Sequence, residues 1–538
     1  MNKLRKTIGY LIISASLSLQ PFKALANGLS DQDQRIFKKV WLALGIGDNI
    51  KTEPKVILKT TNMGTQIDQA TSTIFIDPGL LEVGKSFGDQ RSQALAFVFG
   101  QALYFYTTHK TFSLMPQKFA RTSDKSRFLK GDKKGIIYAY MAGYPMLDIY
   151  TQLLRKIYAH YGLANAGFLQ FRLNRANTLS KELRQFFLTF QIANYLMMVD
   201  EGLVAHECYK YILEEYESKE MYNNAGANLL KMMVEDDPAR QFAYPVVMDL
   251  SSQLVYNSFK YHQKRITDAL QTKMQWCFQE AIRKDANYIP AYINLANLRI
   301  LTFKLAEANR YLAKAEKLAK QQNSPLFNAI RVLKGMLIYK VGKKMQAINL
   351  LAKLAQPKTK NLAYYNLLVA REAPSEVLKE EFPSPQSNGY PEETIADIDL
   401  DVPFYRGDEQ AFLDGSAVVQ FKIVKLHPGL SIYLDTLKND QNQKVARRIV
   451  VAYRGKLIYF VQTLPGYKGK TSVGDFSIGS NFQKMKDAAM YGEPLRTQQK
   501  VQLLTKEYTF YIYDKRRIIF RVNHQQKVAS WMIYYTTK

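Results

Sequence analysis

One run of apolar residues places the strongest constraint on how this chain can fold. Residues 88–106 read GDQRSQALAFVFGQALYFY, and from Ala94 onward Gln101 is the only strongly polar side chain before Thr107. A helix that is apolar on every side is buried, because it has no polar face to turn toward water. The run therefore predicts a core helix against which neighbouring elements pack.

The start of the chain has the pattern of a secretory signal peptide over residues 1–26. Basic residues at 3–6 precede a short apolar run, and small residues at 24–26 form a cleavage site. The apolar run is too short to span a bilayer permanently, and no later run reaches that length. We therefore expect an exported, periplasmic protein with no transmembrane segment in the mature chain.

Length and pattern together predict several folded parts. A chain of 538 residues is long enough for about three or four domains. Strand-like runs and the core helix come first, helical patterns follow, prolines cluster next, and β-branched and aromatic runs dominate the end. The predicted fold class is multidomain α+β. Its parts are a mostly helical N-terminal domain at 27–165, a helical repeat domain at 166–371, a linker at 372–400 and a basic α+β domain at 401–538.

The helical repeat domain shows the spacing of tetratricopeptide (TPR) units, which are 34-residue helix pairs with small residues where the helices cross. Stacks of such pairs form a concave surface that binds protein segments. A generic helical bundle is the alternative. The best unit has its matching residues at Tyr292, Leu295, Ala296, Ala308, Leu312 and Ala315, and a second has them at Gly335, Ala347, Leu351 and Leu354.

The first helix of the best unit, at about 290–302, supplies the candidate binding residues. Asn294, Asn297 and Arg299 are predicted to face outward, away from the neighbouring helices. An Asn side chain carries a donor and an acceptor, so it can bind the backbone of an extended peptide. The alternative, that these are solvated surface positions, is equally open for each one.

Charge and single residues add weaker constraints. The formal net charge is +27, which favours acidic partners or anionic surfaces. No long basic run with interleaved aromatic residues occurs, and export argues against a nucleic-acid partner. Cys208 and Cys277 are predicted to be buried free thiols, although an exported chain could join them. Each of the six histidines is expected at the surface or in a local hydrogen bond.

Around the core helix, the chain resembles a known family over residues 45–165. IFIDPGLL at 74–81, ALAFVFG at 94–100, GDKKG at 131–135 and YAYMAGY at 138–144 are similar to segments of the BepA-like periplasmic metallopeptidases, which are gluzincins with TPR repeats. The resemblance implies a metallopeptidase-like domain at 27–165. Further on, residues 478–494 resemble the small envelope module of BamE-like proteins.

The resemblance fails at each catalytic position. The family's zinc helix reads H-E-x-x-H, and here the two His positions hold Gln101 and Phe105 and the Glu position holds Ala102. The position of the third zinc ligand holds Phe128, while the Asp four residues later is present as Asp132. Phe has no donor atom, the Gln amide is a poor zinc ligand, and Ala cannot accept a proton from water. The resemblance thus implies a pseudoenzyme with no metal and no other cofactor.

These features lead to one functional hypothesis and two alternatives. We expect an exported, non-catalytic protein that binds envelope proteins or peptides through its helical repeats, as a scaffold or chaperone-like adaptor. One alternative is an active envelope metalloprotease with a non-standard zinc site. The other is a binder of anionic glycans or lipid headgroups through the basic C-terminal domain.

Overall fold

A computed structural model describes most of the chain between residues 28 and 536, and the predicted signal peptide lies outside the described residues. The described residues are 28–44, 53–61, 64–108, 111–113, 122–199, 201–235, 242–247, 268–324, 326–357, 362–381, 395, 422–427, 429–439, 441–465, 467–471, 476–487, 496–503, 506–513 and 517–536. Within them the chain is a multidomain mixture of helices and sheets, as predicted.

The N-terminal part packs helices against a small mixed sheet in the order β1-β3-β2-β4. β1 runs parallel to β3, whereas β2 is antiparallel to both β3 and β4. The strands are β1 Lys55–Leu58, β2 Thr65–Asp68, β3 Thr73–Ile76 and β4 Thr111–Ser113. The helices are α1 Asp31–Ala43, α2 Pro78–Lys85, α3 Arg91–Thr108, α4 Thr122–Met141 and α5 Tyr150–His160.

Helix α3 is the predicted core helix, and its burial confirms that prediction. Almost every side chain from Ala94 to Tyr106 is buried, including Gln101. α3 crosses α4 at a pair of glycines: a Cβ on Gly100 would lie 2.8 Å from the carbonyl oxygen of Gly135. Real Cβ atoms do not approach backbone so closely, so both glycines are needed for this crossing.

A long series of helices follows, most of them joined by short turns into pairs. They are α6 Gly167–Met198, α7 Gly202–Leu213, α8 Lys219–Glu235, α9 Asp268–Lys284, α10 Ile289–Leu301, α11 Leu305–Gln321, α12 Phe327–Lys340, α13 Lys344–Ala352, α14 Leu362–Ala370 and α15 Ser375–Glu381. The small residues of the repeat pattern lie inside these pairs. Ala296, Ala308 and Ala347 are fully buried, and a Cβ on Gly335 would lie 2.9 Å from Leu351.

The C-terminal part is an antiparallel sheet in the order β5-β6-β7-β8-β12-β11-β10-β9, with a short helix, α16, at Phe482–Asp487. Its strands are β5 Lys422–His427, β6 Leu430–Lys438, β7 Lys444–Tyr453, β8 Lys456–Thr463, β9 Arg496–Leu503, β10 Lys506–Tyr513, β11 Ile518–Asn523 and β12 Val528–Thr536. One face of the sheet belongs to the same apolar core as α1–α10, and the other face forms a core of its own with α16.

Contacts between α6 and the sheet join these parts directly. The Tyr195 ring of α6 lies 5.9 Å from the Phe460 ring of β8, centroid to centroid. Just beyond α6, Glu201 forms a 2.7 Å ion pair with Lys456 of β8. One face of the sheet and the helices therefore share an apolar core.

Two further findings concern the membrane and the thiols. Of the helices that the structure describes, none is both long and apolar enough to cross a bilayer. Cys208 and Cys277 are free and buried, which agrees with the prediction for both. Burial raises the pKa of the Cys277 thiol to about 12, so it stays protonated at neutral pH.

His206 lies on α7 and is buried, with only 3% of its surface exposed. Burial, helped by the positive charge of Lys273, lowers its pKa from 6.5 to about 3. Between these values the unfolded chain binds a proton that the folded chain does not, so acid favours unfolding.

We therefore expect stability to fall as the pH drops below about 6.5, by up to about 1.4 kcal/mol per pH unit from this one group. Replacing His206 with Met should flatten that slope, as measured by urea unfolding between pH 7 and pH 5. The exposed His524 is the matched control, and His524→Met should leave the slope unchanged. Equal slopes in wild type and His206→Met would contradict the assignment.

Candidate functional site

The structure brings together the positions at which the resemblance places metal chemistry. Gln101 and Phe105 lie one turn apart on α3, and Phe128 and Asp132 lie one turn apart on the facing side of α4. The two polar residues meet each other, and the two aromatic residues meet each other. Ala102, at the position of the general base, is buried with 1% of its surface exposed.

The polar half is a hydrogen-bonded cluster around Asp132. The Gln101 amide donates to one carboxylate oxygen at 2.5 Å, and the Tyr150 hydroxyl donates to the other at 2.7 Å. Arg172, from α6, binds the same carboxylate through two nitrogens, at 2.5 and 2.9 Å. A third nitrogen of Arg172 donates to the Tyr158 hydroxyl at 3.3 Å. The carboxylate thus accepts four hydrogen bonds, two on each oxygen.

Because this cluster is buried, the charges of its members act strongly on one another. Arg172 is 1% exposed and Asp132 is fully buried, so neither charge is hydrated. Burial alone would lower the pKa of Arg172, but the Asp132 carboxylate holds it well above its usual value. Burial and the Asp132 charge also raise the pKa of Tyr150 well above its usual value. The cluster is therefore a buried ion pair in which the Tyr150 hydroxyl stays neutral and donates to the carboxylate.

The aromatic half fills the rest of the space between the helices. The Phe105 ring lies 5.9 Å from the Phe128 ring, and Phe128 lies 4.9 Å from Phe168 of α6. Phe105 also covers Gly131, where any Cβ would overlap its ring. Close-packed rings leave no room for an ion with its ligands and a water molecule.

The residues present do not fit a zinc ion. Gln101, Phe105, Phe128 and Arg172 are not zinc ligands, and the Asp132 carboxylate at this position is bound by the Arg172 guanidinium. Across the described part of the chain, no group of three or more His, Cys, Asp or Glu side chains could hold a metal ion. The Gln101 amide binds the Asp132 carboxylate.

A second set of polar residues lies on the helical pairs, and we call it the clamp face. The first helices of successive pairs, α8, α10, α12 and α14, pack side by side. Of the fully buried Asn side chains on these helices, four bind one other part of the chain: Asn223 from α8, Asn294 and Asn297 from α10, and Asn366 from α14. Buried amides need hydrogen-bond partners, and here the partners come from another part of the chain.

That part is segment 242–247, FAYPVV, from the connection between α8 and α9. Asn366 accepts from the Ala243 N–H at 2.8 Å and donates to the Ala243 carbonyl at 2.9 Å. Asn294 does the same for Val247, at 2.9 and 2.6 Å. Each side chain therefore binds the donor and the acceptor of a single residue.

Two more contacts complete the clamp face. Asn297 donates to the Pro245 carbonyl at 2.9 Å. Asn223 donates to the Val247 carbonyl at 3.1 Å and accepts from Asn294 at 3.0 Å. Every one of these bonds to the segment goes to its backbone, so the Asn side chains recognise an extended chain and not particular side chains.

The side chains of the segment pack into the helical pairs. Phe242 is 6% exposed and meets the Tyr339 ring of α12 edge to face at 5.0 Å. It belongs to the apolar cluster that α10–α14 build among themselves, and Tyr244 and Val247 border that cluster. Burying a side chain such as Phe242 stabilises the docked segment by about 1.5–3 kcal/mol.

The three predicted binding residues make two different kinds of contact. Asn294 and Asn297 do not face solvent as predicted: they are buried and bind the backbone of the chain's own segment 242–247. Arg299 is also buried, and it forms a 2.8 Å ion pair with Glu307 of α11. Sequence reasoning missed Asn366, although its place in α14 repeats that of Asn294 in α10.

In comparisons with known proteins, no family model, no curated protein and no solved structure matches the chain.

The buried ion pair yields a stability prediction. Arg172→Met leaves the Asp132 carboxylate buried without its counter-charge, which should cost about 3–5 kcal/mol of unfolding free energy. On the same helix, Arg184 forms an exposed pair with Asp148, and Arg184→Met should cost less than about 1 kcal/mol. Urea unfolding at pH 7 measures both. Similar small losses for the two variants would show that the cluster is not desolvated.

Proposed function

We propose that this protein is a non-catalytic scaffold that binds extended polypeptide segments on its clamp face. The observation that carries the proposal is the paired use of N–H and C=O by Asn294 and Asn366, two residues on different helix pairs. This arrangement binds a backbone irrespective of sequence. It supports a role in holding segments of several proteins rather than one fixed ligand.

The site at α3 and α4 supports the non-catalytic part of the proposal. A buried guanidinium, held by the Asp132 carboxylate, lies beside the residues at which a metallopeptidase would hold its metal. The aromatic half fills the remaining space with Phe105 and Phe128. These substitutions act together as a packed and charge-balanced core, which supports a structural use of an inherited catalytic scaffold.

Sequence patterns support the cellular location and the partners that we propose. The signal-peptide pattern at 1–26 supports export to a periplasm, where unfolded or extended segments of envelope proteins are available. The TPR-like spacing supports a concave binding surface. In this proposal the partners are therefore envelope proteins or peptides, and the scaffold acts on them as an adaptor or chaperone.

Binding of a permanently unfolded protein tests the function. Reduced and carboxymethylated α-lactalbumin is mixed with the full mature chain, purified without chelator, and binding, cleavage and zinc content are measured together. We expect saturable binding, no cleavage and far less than one zinc per chain. Replacing Asn294 and Asn366 with Leu should weaken binding at least about tenfold, because two bidentate contacts are lost. The exposed Asn287→Leu is the matched control, with circular dichroism to verify folding.

Each alternative has its own signature in this experiment. Cleavage that a chelator stops, together with one zinc per chain, would establish an active metalloprotease. Binding to anionic vesicles that salt abolishes, with no binding of the unfolded protein, would instead assign recognition to the basic C-terminal part.

A further inference from the structure

The clamp face contacts segment 242–247 at every second residue. Asn366, Asn297 and Asn294 bind residues 243, 245 and 247 respectively. The segment turns tightly at Pro245, where the Val246 N–H donates to the Tyr244 carbonyl at 3.0 Å, and the three Asn contacts follow its backbone at alternate residues. These contacts run from α14 back to α10, opposite to the order of the helices in the chain.

The middle contact of these three is incomplete. Asn294 and Asn366 each use both the oxygen and the nitrogen of the side-chain amide. Asn297 uses only its nitrogen, because Pro245 has no N–H to donate. Within the described residues, the Asn297 side-chain oxygen is buried without a hydrogen-bond partner.

An unpartnered acceptor in a fully buried site points to a better ligand than the one present. A buried polar atom with no partner carries its full desolvation cost, which a donor in the right place would remove. By analogy with the two complete contacts, that donor is the N–H of the residue at position 245. Any residue except proline supplies it.

We propose that segment 242–247 is a displaceable occupant, and that the clamp face takes from a partner protein an extended segment with an aromatic residue at the Phe242 position and an N–H at the Pro245 position. The inference rests on the proposed function and names the ligand class of the same site. The aromatic residue enters the apolar cluster beside Tyr339, and the N–H completes the contact with Asn297.

The chain's own segment sets a threshold for that partner. A tethered segment competes at an effective concentration of about millimolar, and a ligand's apparent affinity falls by the fraction of protein that is unoccupied. A second copy would offer the same incomplete segment without the advantage of the tether. The partner is therefore a different protein, whose segment makes the contact that Pro245 cannot make.

Three capped and fluorescein-labelled peptides test the inference by fluorescence anisotropy with the full mature chain. The first is FAYPVV. The second is FAYAVV, which supplies the N–H at position 245. The third has N-methylalanine at that position, which lacks both the proline ring and the N–H. We expect FAYAVV to bind about fivefold to tenfold more tightly than the other two, because it gains one buried hydrogen bond.

Two protein variants make the result specific. Asn297→Leu should abolish the difference between FAYAVV and the N-methylated peptide, since it removes the acceptor that distinguishes them. Ala243→Pro, which removes an N–H that Asn366 accepts from, should release the tethered segment and tighten binding of all three peptides at least about tenfold. Phe242→Asp is a second release variant should Ala243→Pro fold poorly.

The outcomes separate this inference from the proposed function. Equal binding of the three peptides, or a preference that survives Asn297→Leu, would overturn the inference and leave the scaffold function in place. If no peptide binds wild type or either release variant while all remain folded, both fail. Concentration-dependent dimers of wild type that excess FAYAVV leaves intact would identify a second copy as the occupant and overturn the inference.

Discussion

The ion pair between Asp132 and Arg172 is the constraint on which the N-terminal architecture depends. It ties α4 to α6, and α6 in turn carries Tyr195 against the C-terminal sheet. A fully buried pair of opposite charges tolerates no loss of either partner, so it fixes the register between these helices more strictly than apolar packing alone.

The clamp face uses a different physical rule. Amide side chains bind backbone groups, and nearly every residue carries both of these groups. Affinity therefore comes from the number of such contacts. Selectivity comes from the few positions where a contact needs a particular kind of residue. Pro245 marks one such position, and the aromatic pocket beside Tyr339 marks another. In this structure the docked segment supplies hydrogen-bond partners to Asn294, Asn297 and Asn366.

Sequence reasoning reached the parts of this account that depend on local pattern. The apolar run at α3 predicted a buried helix, and the repeat spacing directed attention to Asn294 and Asn297. It missed what depends on distant contacts: the pairing of Arg172 with Asp132, and the docking of segment 242–247. Periodicity shows which face of a helix is polar, but it does not show what covers that face.

Native-state hydrogen exchange at two backbone amides tests the central claim most directly, because the Ala243 and Val247 N–H groups donate to the side chains of Asn366 and Asn294. The account predicts slow exchange at both amides in wild type. In Asn366→Leu, exchange at Ala243 should become much faster, while the exposed Asn287→Leu control should change neither amide. Exchange of both wild-type amides at the rates of a free peptide would show that segment 242–247 is not held by the clamp face.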